Sequence, residues 1–163
     1  MHRIEDYARL PGAVRGLRLL TDAGYRVAIV TNQSGIGRGY FDEAAFLQFH
    51  DHVLRDFASQ GIRFAATYFC PHAPDAGCDC RKPAPGLLHR AARELGVDLA
   101  ACWMIGDQPS DVDLALNAGC RAIRLVAEPA SHAAVSHAPE VPTARDLEAA
   151  ARLILTSATQ LAQ

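Results

Sequence analysis

Three cysteines and one histidine lie within eleven residues of this chain, between Cys70 and Cys80. Cys70-x-His72 and Cys78-x-Cys80 supply three thiolates and one imidazole, and the loop of residues 73–77 between the pairs lets all four approach one ion. Such a ligand set is typical of a closed tetrahedral zinc site. The spacing predicts a structural zinc that holds the loop rigid, and it favours this over a chance cluster of reduced cysteines.

Two cations, Arg81 and Lys82, follow Cys80 directly. Pro83 and Pro85 then stiffen the chain before the next predicted helix. A rigid metal loop would hold both cations at one point, where they can bind an anion. Solvated surface charge is the alternative for an Arg-Lys pair.

A second candidate anion site is the stretch Thr31-Asn32-Gln33-Ser34-Gly35-Ile36-Gly37-Arg38-Gly39. Hydroxyls, amides and three glycines allow backbone N–H groups to turn toward a phosphate. The stretch predicts a phosphate cradle, and a simple turn after a strand remains the alternative.

Carboxylates mark a third segment, Gly106-Asp107-Gln108-Pro109-Ser110-Asp111. An aspartate at the end of a strand, with a second one four residues later near a helix start, is well placed to hold Mg²⁺. Helix capping is the competing explanation for Asp111. For Asp107, which follows a glycine, metal binding is favoured.

The elements that must position these residues alternate along the chain. Strands are predicted over residues 26–31, 65–70, 102–106 and 121–126, and helices over residues 12–23, 42–59, 85–95, 111–118 and 144–158. Short apolar strands between helices predict an α/β fold with a parallel sheet covered on both faces, whose ligands bind beyond the carboxyl ends of the strands. Residues 128–142 are predicted to form a surface loop.

Length and composition indicate the number of domains, the partners and the cellular compartment. The 163 residues predict a single domain, 1–163, with the zinc loop at 70–80. A net charge of −2 gives no broad field for nucleic acid, and neither a membrane span nor a signal peptide is expected. Five cysteines, an odd number, favour a metal site in a reducing compartment, so a cytoplasmic protein is expected, with Cys102 and Cys120 as packing residues. We also expect a monomer.

Together, "VTNQSGIGRGYF", "CPH...CDCRKPAPG" and "GDQPSD" resemble the haloacid dehalogenase (HAD) superfamily, in its zinc-containing branch of D-glycero-D-manno-heptose 1,7-bisphosphate phosphatases and histidinol-phosphate phosphatases. The resemblance implies a Rossmann-like three-layer α/β/α fold and a Mg²⁺-dependent phosphomonoesterase with an aspartyl-phosphate intermediate. It implies that Thr31 and Asn32 bind the phosphoryl group, Lys82 neutralises it, Asp107 ligates Mg²⁺, Cys70, His72, Cys78 and Cys80 ligate zinc, and Gln33, Ser34 and Arg81 contact substrate.

One motif of that family is absent. Its members begin with a strand that ends in D-x-D-G-T, which carries the nucleophile and the general acid, and no such segment precedes the first helix here. In that family the missing strand lies between the strands that correspond to those ending at Thr31 and Gly106 here, so a gap of about 10 Å is expected between these two strands. We expect Met1 to be an internal start, with the strand and both aspartates upstream.

Three functions are compatible with the residues. The first is removal of the 7-phosphate of heptose bisphosphate, with histidinol phosphate as the alternative substrate. The second is a non-catalytic protein that binds a phosphorylated ligand or a partner chain. A zinc module for nucleic acid is disfavoured by the near-neutral charge.

Overall fold

The computed structural model describes residues 3–126 and 141–161 of the chain. The strands are β1 (Ala28–Asn32), β2 (Ala66–Cys70), β3 (Trp103–Gly106), β4 (Arg121–Leu125) and β5 (Thr143–Ala144). The α-helices are α1 (Ala13–Asp22), α2 (Ser34–Gly37), α3 (Glu43–Ser59), α4 (Gly86–Leu95), α5 (Pro109–Asn117) and α6 (Leu147–Leu161). Two short 3₁₀ helices cover Ile4–Asp6 and Leu99–Ala101. None of these helices combines the length and apolar character needed to cross a bilayer.

The predicted strands and helices occur in the predicted order, but strand β5 and the short helix α2 were not predicted, and the other differences lie at element ends. The last helix begins at Leu147 rather than at residue 144, because Ala144 belongs to β5 and the Asp146 carboxylate accepts the Ala149 N–H at 2.8 Å. Helix α5 begins at Pro109, two residues earlier than predicted. The predicted loop 128–142 falls almost wholly outside the described residues.

The strands form two separate parallel sheets rather than one. Strand β1 pairs only with β2, while β3, β4 and β5 form the second sheet. Strands β1 and β3 do not pair with each other, as the gap predicted between Thr31 and Gly106 requires. Their residues are also more accessible than those of a central strand, since none of the residues in β1 or β3 is fully buried.

Helices nevertheless cover both sheets on both faces, as in a three-layer fold. On one face, Leu20 of α1 and Ile154 of α6 pack in a cluster that includes Val27, Trp103 and Ile105. Helix α3 extends this layer next to β1 and β2. On the other face, α4 and α5 share a second cluster with Val30 and Met104. The two sheets therefore lie in one layer, with helices on either side.

Candidate functional site

The four predicted zinc ligands converge in the structure. One ligand atom from each of Cys70, His72, Cys78 and Cys80 lies within 4.8 Å of all the others, and this group could hold a metal ion. The Cys70 and Cys78 sulfurs are 3.6 Å apart, and His72 Nδ1 lies 3.2 Å from the Cys80 sulfur. Two sulfurs at about 2.3 Å from one tetrahedral zinc are about 3.8 Å apart, so the donor set fits zinc in spacing and chemistry.

The pKa values of these thiols show how closely the sulfurs are crowded. Burial raises the pKa of Cys78, but hydrogen bonds from the Cys80 and Cys70 side chains and from backbone N–H groups lower it to about 7. Burial and the neighbouring sulfurs raise the pKa of Cys80 to about 12. Crowded thiolates repel one another, and a bound dication removes this repulsion.

The loop that carries this cluster is fixed to the end of β1. The Gln33 N–H donates to the Cys70 carbonyl at 2.7 Å, and the Gly37 N–H donates to the Pro71 carbonyl at 2.8 Å. A side chain on Gly37 would overlap the backbone of Ala73, so only glycine permits this approach. The stretch after β1, for which a cradle or a turn was predicted, is thus a short helix, α2, packed on the metal loop.

Asn32 and Lys82 lie fifty positions apart in sequence and are joined by two hydrogen bonds. The Lys82 N–H donates to Asn32 Oδ1 at 3.1 Å, and Asn32 Nδ2 donates to the Lys82 carbonyl at 3.3 Å. The side-chain amide of Asn32 therefore fixes the backbone of Lys82. The predicted juxtaposition of the cationic corner with the Thr31-Asn32 segment is present.

The Lys82 side chain reaches across from one sheet to the other. Its Nζ donates to the Val30 carbonyl of β1 at 3.3 Å and to Asp111 Oδ1 at 2.6 Å. Asp111 lies against Gly106 at the end of β3, where an added side chain would overlap its carboxylate. Only 12% of the Lys82 side chain and 5% of the Asp111 side chain are exposed, so the ion pair is largely shielded from water.

For Asp111 the sequence left Mg²⁺ binding and helix capping open, and the structure shows capping. Its other oxygen, Oδ2, accepts the Gln108 N–H at 3.1 Å and so caps helix α5. Both carboxylate oxygens are engaged, one by a cation and one by the helix start. The aspartate four residues after Asp107 was visible in the sequence, but its pairing with Lys82 was not.

Asp107 has the opposite environment. It follows β3 directly and is exposed, and its Oδ2 accepts Gln108 Nε2 at 2.9 Å. Among the described strands, β3 alone is followed directly by an aspartate. A single accessible carboxylate at this edge is a suitable Mg²⁺ ligand when phosphate oxygens and water complete the coordination.

The remaining predicted site residues lie at the same edge of the sheets. Gln33 Nε2 donates to the Thr31 hydroxyl at 3.1 Å, and Gln33 and Ser34 are both half-buried. Arg81 is half-buried as well, and no described group accepts a hydrogen bond from its buried Nη1. An anion at this edge would provide that acceptor.

Cys120 and two histidines lie outside this site. Cys120 is buried, and burial raises its pKa to about 11, so it packs as an apolar residue. His50 stacks on Phe46 of the same helix, and its Nε2 lies 2.8 Å from the Thr67 hydroxyl of β2. His52 contacts the edge of the Tyr7 ring, so both histidines pack against another element.

Comparison with known proteins places the chain in a family. Residues 79–152 match the HAD-hydrolase-like family model. The D-glycero-beta-D-manno-heptose-1,7-bisphosphate 7-phosphatase of Pseudomonas aeruginosa is 38% identical over 120 residues, which are 74% of this chain and 67% of that protein. A probable 7-phosphatase of the same kind from Thermoplasma acidophilum is 46% identical over 120 residues, 72% of this chain and 74% of that protein.

A solved structure agrees with these relatives. The D,D-heptose 1,7-bisphosphate phosphatase of B. bronchiseptica, complexed with magnesium and phosphate, has a TM-score of 0.83 and 34% identity, and the match covers 96% of this chain and 88% of that one. With such identity and coverage, the chain belongs to the HAD superfamily of hydrolases, in the branch of the heptose bisphosphate phosphatases.

Proposed function

We propose that this chain acts as a Mg²⁺-dependent phosphomonoesterase that removes the 7-phosphate of D-glycero-D-manno-heptose 1,7-bisphosphate. Support comes from relatives that bear this name and from a structural neighbour that binds magnesium and phosphate. Histidinol phosphate is the alternative substrate. The cysteine-rich metal site fits a reducing compartment, so a cytoplasmic location is part of the proposal. The proposal also includes a monomer.

Each residue of the site has a proposed role. Thr31 and Asn32 donate hydrogen bonds to the phosphoryl oxygens, and Lys82 neutralises their charge. Gln33, Ser34 and Arg81 orient the rest of the substrate, since they lie at the same edge of the sheets.

Two metals have different tasks in this proposal. Asp107 would hold Mg²⁺, which supplies positive charge beside the phosphoryl group. Cys70, His72, Cys78 and Cys80 would hold zinc as a structural ion, because four protein donors leave no open position. The zinc loop then fixes Arg81 and Lys82 at the edge where the substrate binds.

The observation that carries the proposal is the placement of Lys82. Its backbone is fixed by Asn32 at the end of β1, and its ammonium is held by Asp111 beside the end of β3. A desolvated, oriented cation at the carboxyl edge of parallel strands is well suited to bind phosphate, which supports the proposal. The nucleophile and general acid would be supplied by an Asp-x-Asp strand between β1 and β3.

Phosphate release tests this function. The 163-residue chain and a version preceded by an Asp-x-Asp strand are assayed with heptose bisphosphate and with histidinol phosphate, in Mg²⁺. We expect turnover only for the extended version, and faster on heptose bisphosphate. Lys82→Met should abolish the extended version's turnover, whereas Arg93→Met, at an exposed cation of α4, should not change it. Full activity in Lys82→Met would refute the assignment.

A non-catalytic phosphate-binding protein is the second candidate. It is favoured by the absence, among the described strands, of an aspartate directly after β1, β2, β4 or β5. Calorimetry with heptose bisphosphate on the 163-residue chain separates the two candidates when it is paired with the release assay. Tight binding with no turnover in either version of the chain would support the second candidate.

A further inference from the structure

Gln108 lies between the two aspartates that follow β3 and forms hydrogen bonds with both. Its backbone N–H donates to Asp111 Oδ2 at 3.1 Å, and its side-chain Nε2 donates to Asp107 Oδ2 at 2.9 Å. The other Asp111 oxygen accepts Lys82 Nζ at 2.6 Å. A continuous series of polar contacts therefore joins the Lys82 ammonium to the Asp107 carboxylate, and Gln108 is the residue that connects them.

The backbone of Gln108 is held by the residues that follow it. Pro109, the first residue of helix α5, disfavours a helical conformation in the residue before it. Gln108 accordingly has an extended backbone, with φ −89° and ψ 144°. Its N–H is bound by the Asp111 carboxylate, which is shielded from water and paired with Lys82. The side chain of Gln108 is exposed, but it extends from a fixed point.

The hydrogen bond from Gln108 restricts the rotation of the Asp107 carboxylate. Asp107 is exposed, so without this contact its side chain would exchange between rotamers in water. The bond occupies Oδ2, and Oδ1 is then the oxygen that a divalent cation would take at this edge. Residues that hydrogen bond to a metal ligand in this way orient the ligand, and their loss weakens metal binding.

The Gln108 side chain is neutral, which suits a hydrogen-bond donor beside a cation site. Lys82 and Asp111 compensate each other's charge in their ion pair, so Asp107 brings a net negative charge to this edge. An amide donates a hydrogen bond without adding positive charge, whereas an ammonium at the same place would repel a dication. The residue type at position 108 therefore favours orientation of Asp107 together with cation binding.

We propose that Gln108 is a positioning residue for the divalent cation. Its side-chain amide orients the Asp107 carboxylate, and its backbone aligns that carboxylate with the Lys82–Asp111 pair. This inference rests on the proposed role of Asp107 as the Mg²⁺ ligand. Its consequence is that cation affinity depends on a side chain that contributes no ligand atom.

Titration of the zinc-loaded 163-residue chain with Mn²⁺, at a fixed concentration of inorganic phosphate, tests this role. Mn²⁺ takes the same oxygen ligands as Mg²⁺, and it broadens the NMR signals of nearby amides, so weak binding is measurable. Gln108→Met has a similar length but no donor, and we expect it to weaken Mn²⁺ binding about tenfold. Gln108→Lys keeps a donor but adds positive charge, so it should weaken binding as well. The matched control, Gln48→Met at an exposed position of α3, should bind Mn²⁺ as the unmodified chain does.

Urea unfolding separates positioning of Asp107 from a role in folding. Gln108→Met keeps the backbone N–H that Asp111 accepts, and it keeps Pro109, so its urea midpoint should change by about 0.3 M or less. A loss of Mn²⁺ affinity with a midpoint shift as large as that of Asp111→Asn would show that Gln108 acts through the start of α5. That result would overturn the proposal.

The side-chain amide of Gln108 also gives a direct spectroscopic signature. Its NH₂ signals are identified in the NMR spectrum by their loss in Gln108→Met. Asp107→Ala removes the acceptor and should shift these signals, whereas Asp113→Ala, at an exposed aspartate of α5, should not. Signals that do not respond to Asp107→Ala would overturn the proposed contact.

The same titration separates this inference from the proposed function. Asp107→Ala should abolish the broadening by Mn²⁺ at the end of β3, and unchanged broadening there would overturn the role of Asp107 and this inference with it. If Asp107 is required but Gln108→Met binds Mn²⁺ as tightly as the unmodified chain, the proposed metal ligand stands and only the role of Gln108 is overturned.

Discussion

Neutralising Asp111 should destabilise this protein far more than neutralising an exposed partner. The Asp111→Asn substitution leaves the Lys82 ammonium, 12% exposed, without its counter-charge. Breaking a buried pair in this way costs about 3–5 kcal/mol. The carboxylate also serves the Gln108 N–H with its second oxygen, and a single amide oxygen cannot serve both donors. A weakened helix cap is worth about 1 kcal/mol, so we expect a loss of about 5 kcal/mol in total.

Urea unfolding of the zinc-loaded chain measures this loss. With a slope of about 2 kcal/mol/M, the midpoint should fall by about 2.5 M. The matched control is Asp51→Asn, which breaks the exposed Asp51–Arg55 pair on α3 and should cost about 0.3–0.5 kcal/mol.

A double-mutant cycle isolates the pair itself. Lys82→Met and Asp111→Asn should cost less together than the sum of their separate effects, by about 1–3 kcal/mol, because the double variant buries no unpaired charge. Additive effects, or a loss in Asp111→Asn no larger than in Asp51→Asn, would show that the pair is hydrated and that Lys82 is not held as described.

Three further predictions concern the metal cluster, Gly106 and His50. Cys80→Ser should abolish the binding of one zinc per chain and lower the melting temperature, whereas Cys102→Ser, outside the cluster, should keep the metal. Plasma emission spectroscopy measures the zinc content, and calorimetry measures the melting temperature. Gly106→Ala should reproduce the urea sensitivity of Asp111→Asn, because the added methyl group overlaps that carboxylate. Burial lowers the pKa of His50, so the folded state prefers the neutral ring. Stability should therefore fall as the pH drops below about 6.5, the pKa of His50 in the unfolded chain, and should level off below its pKa in the folded chain. His50→Gln should remove that part of the pH dependence, and equal slopes for both proteins between pH 8 and 5 would contradict this sign.

The sequence determined the features that depend on short spacing. Cys70-x-His72 and Cys78-x-Cys80 lie close along the chain, so one loop can bring their donor atoms within 4.8 Å. Short apolar runs between helical stretches likewise predicted the order of the main strands and helices, because sequence periodicity is a local property.

Only the tertiary structure decided which groups Lys82 contacts. Asn32, Val30 and Asp111 lie 50, 52 and 29 positions from it in sequence, and no local pattern specifies such distances. The sequence placed Asp111 at a helix start and left metal binding and capping open. The fold packs it against Gly106 within reach of the ammonium, and a carboxylate shielded from water there is stable only with a paired cation.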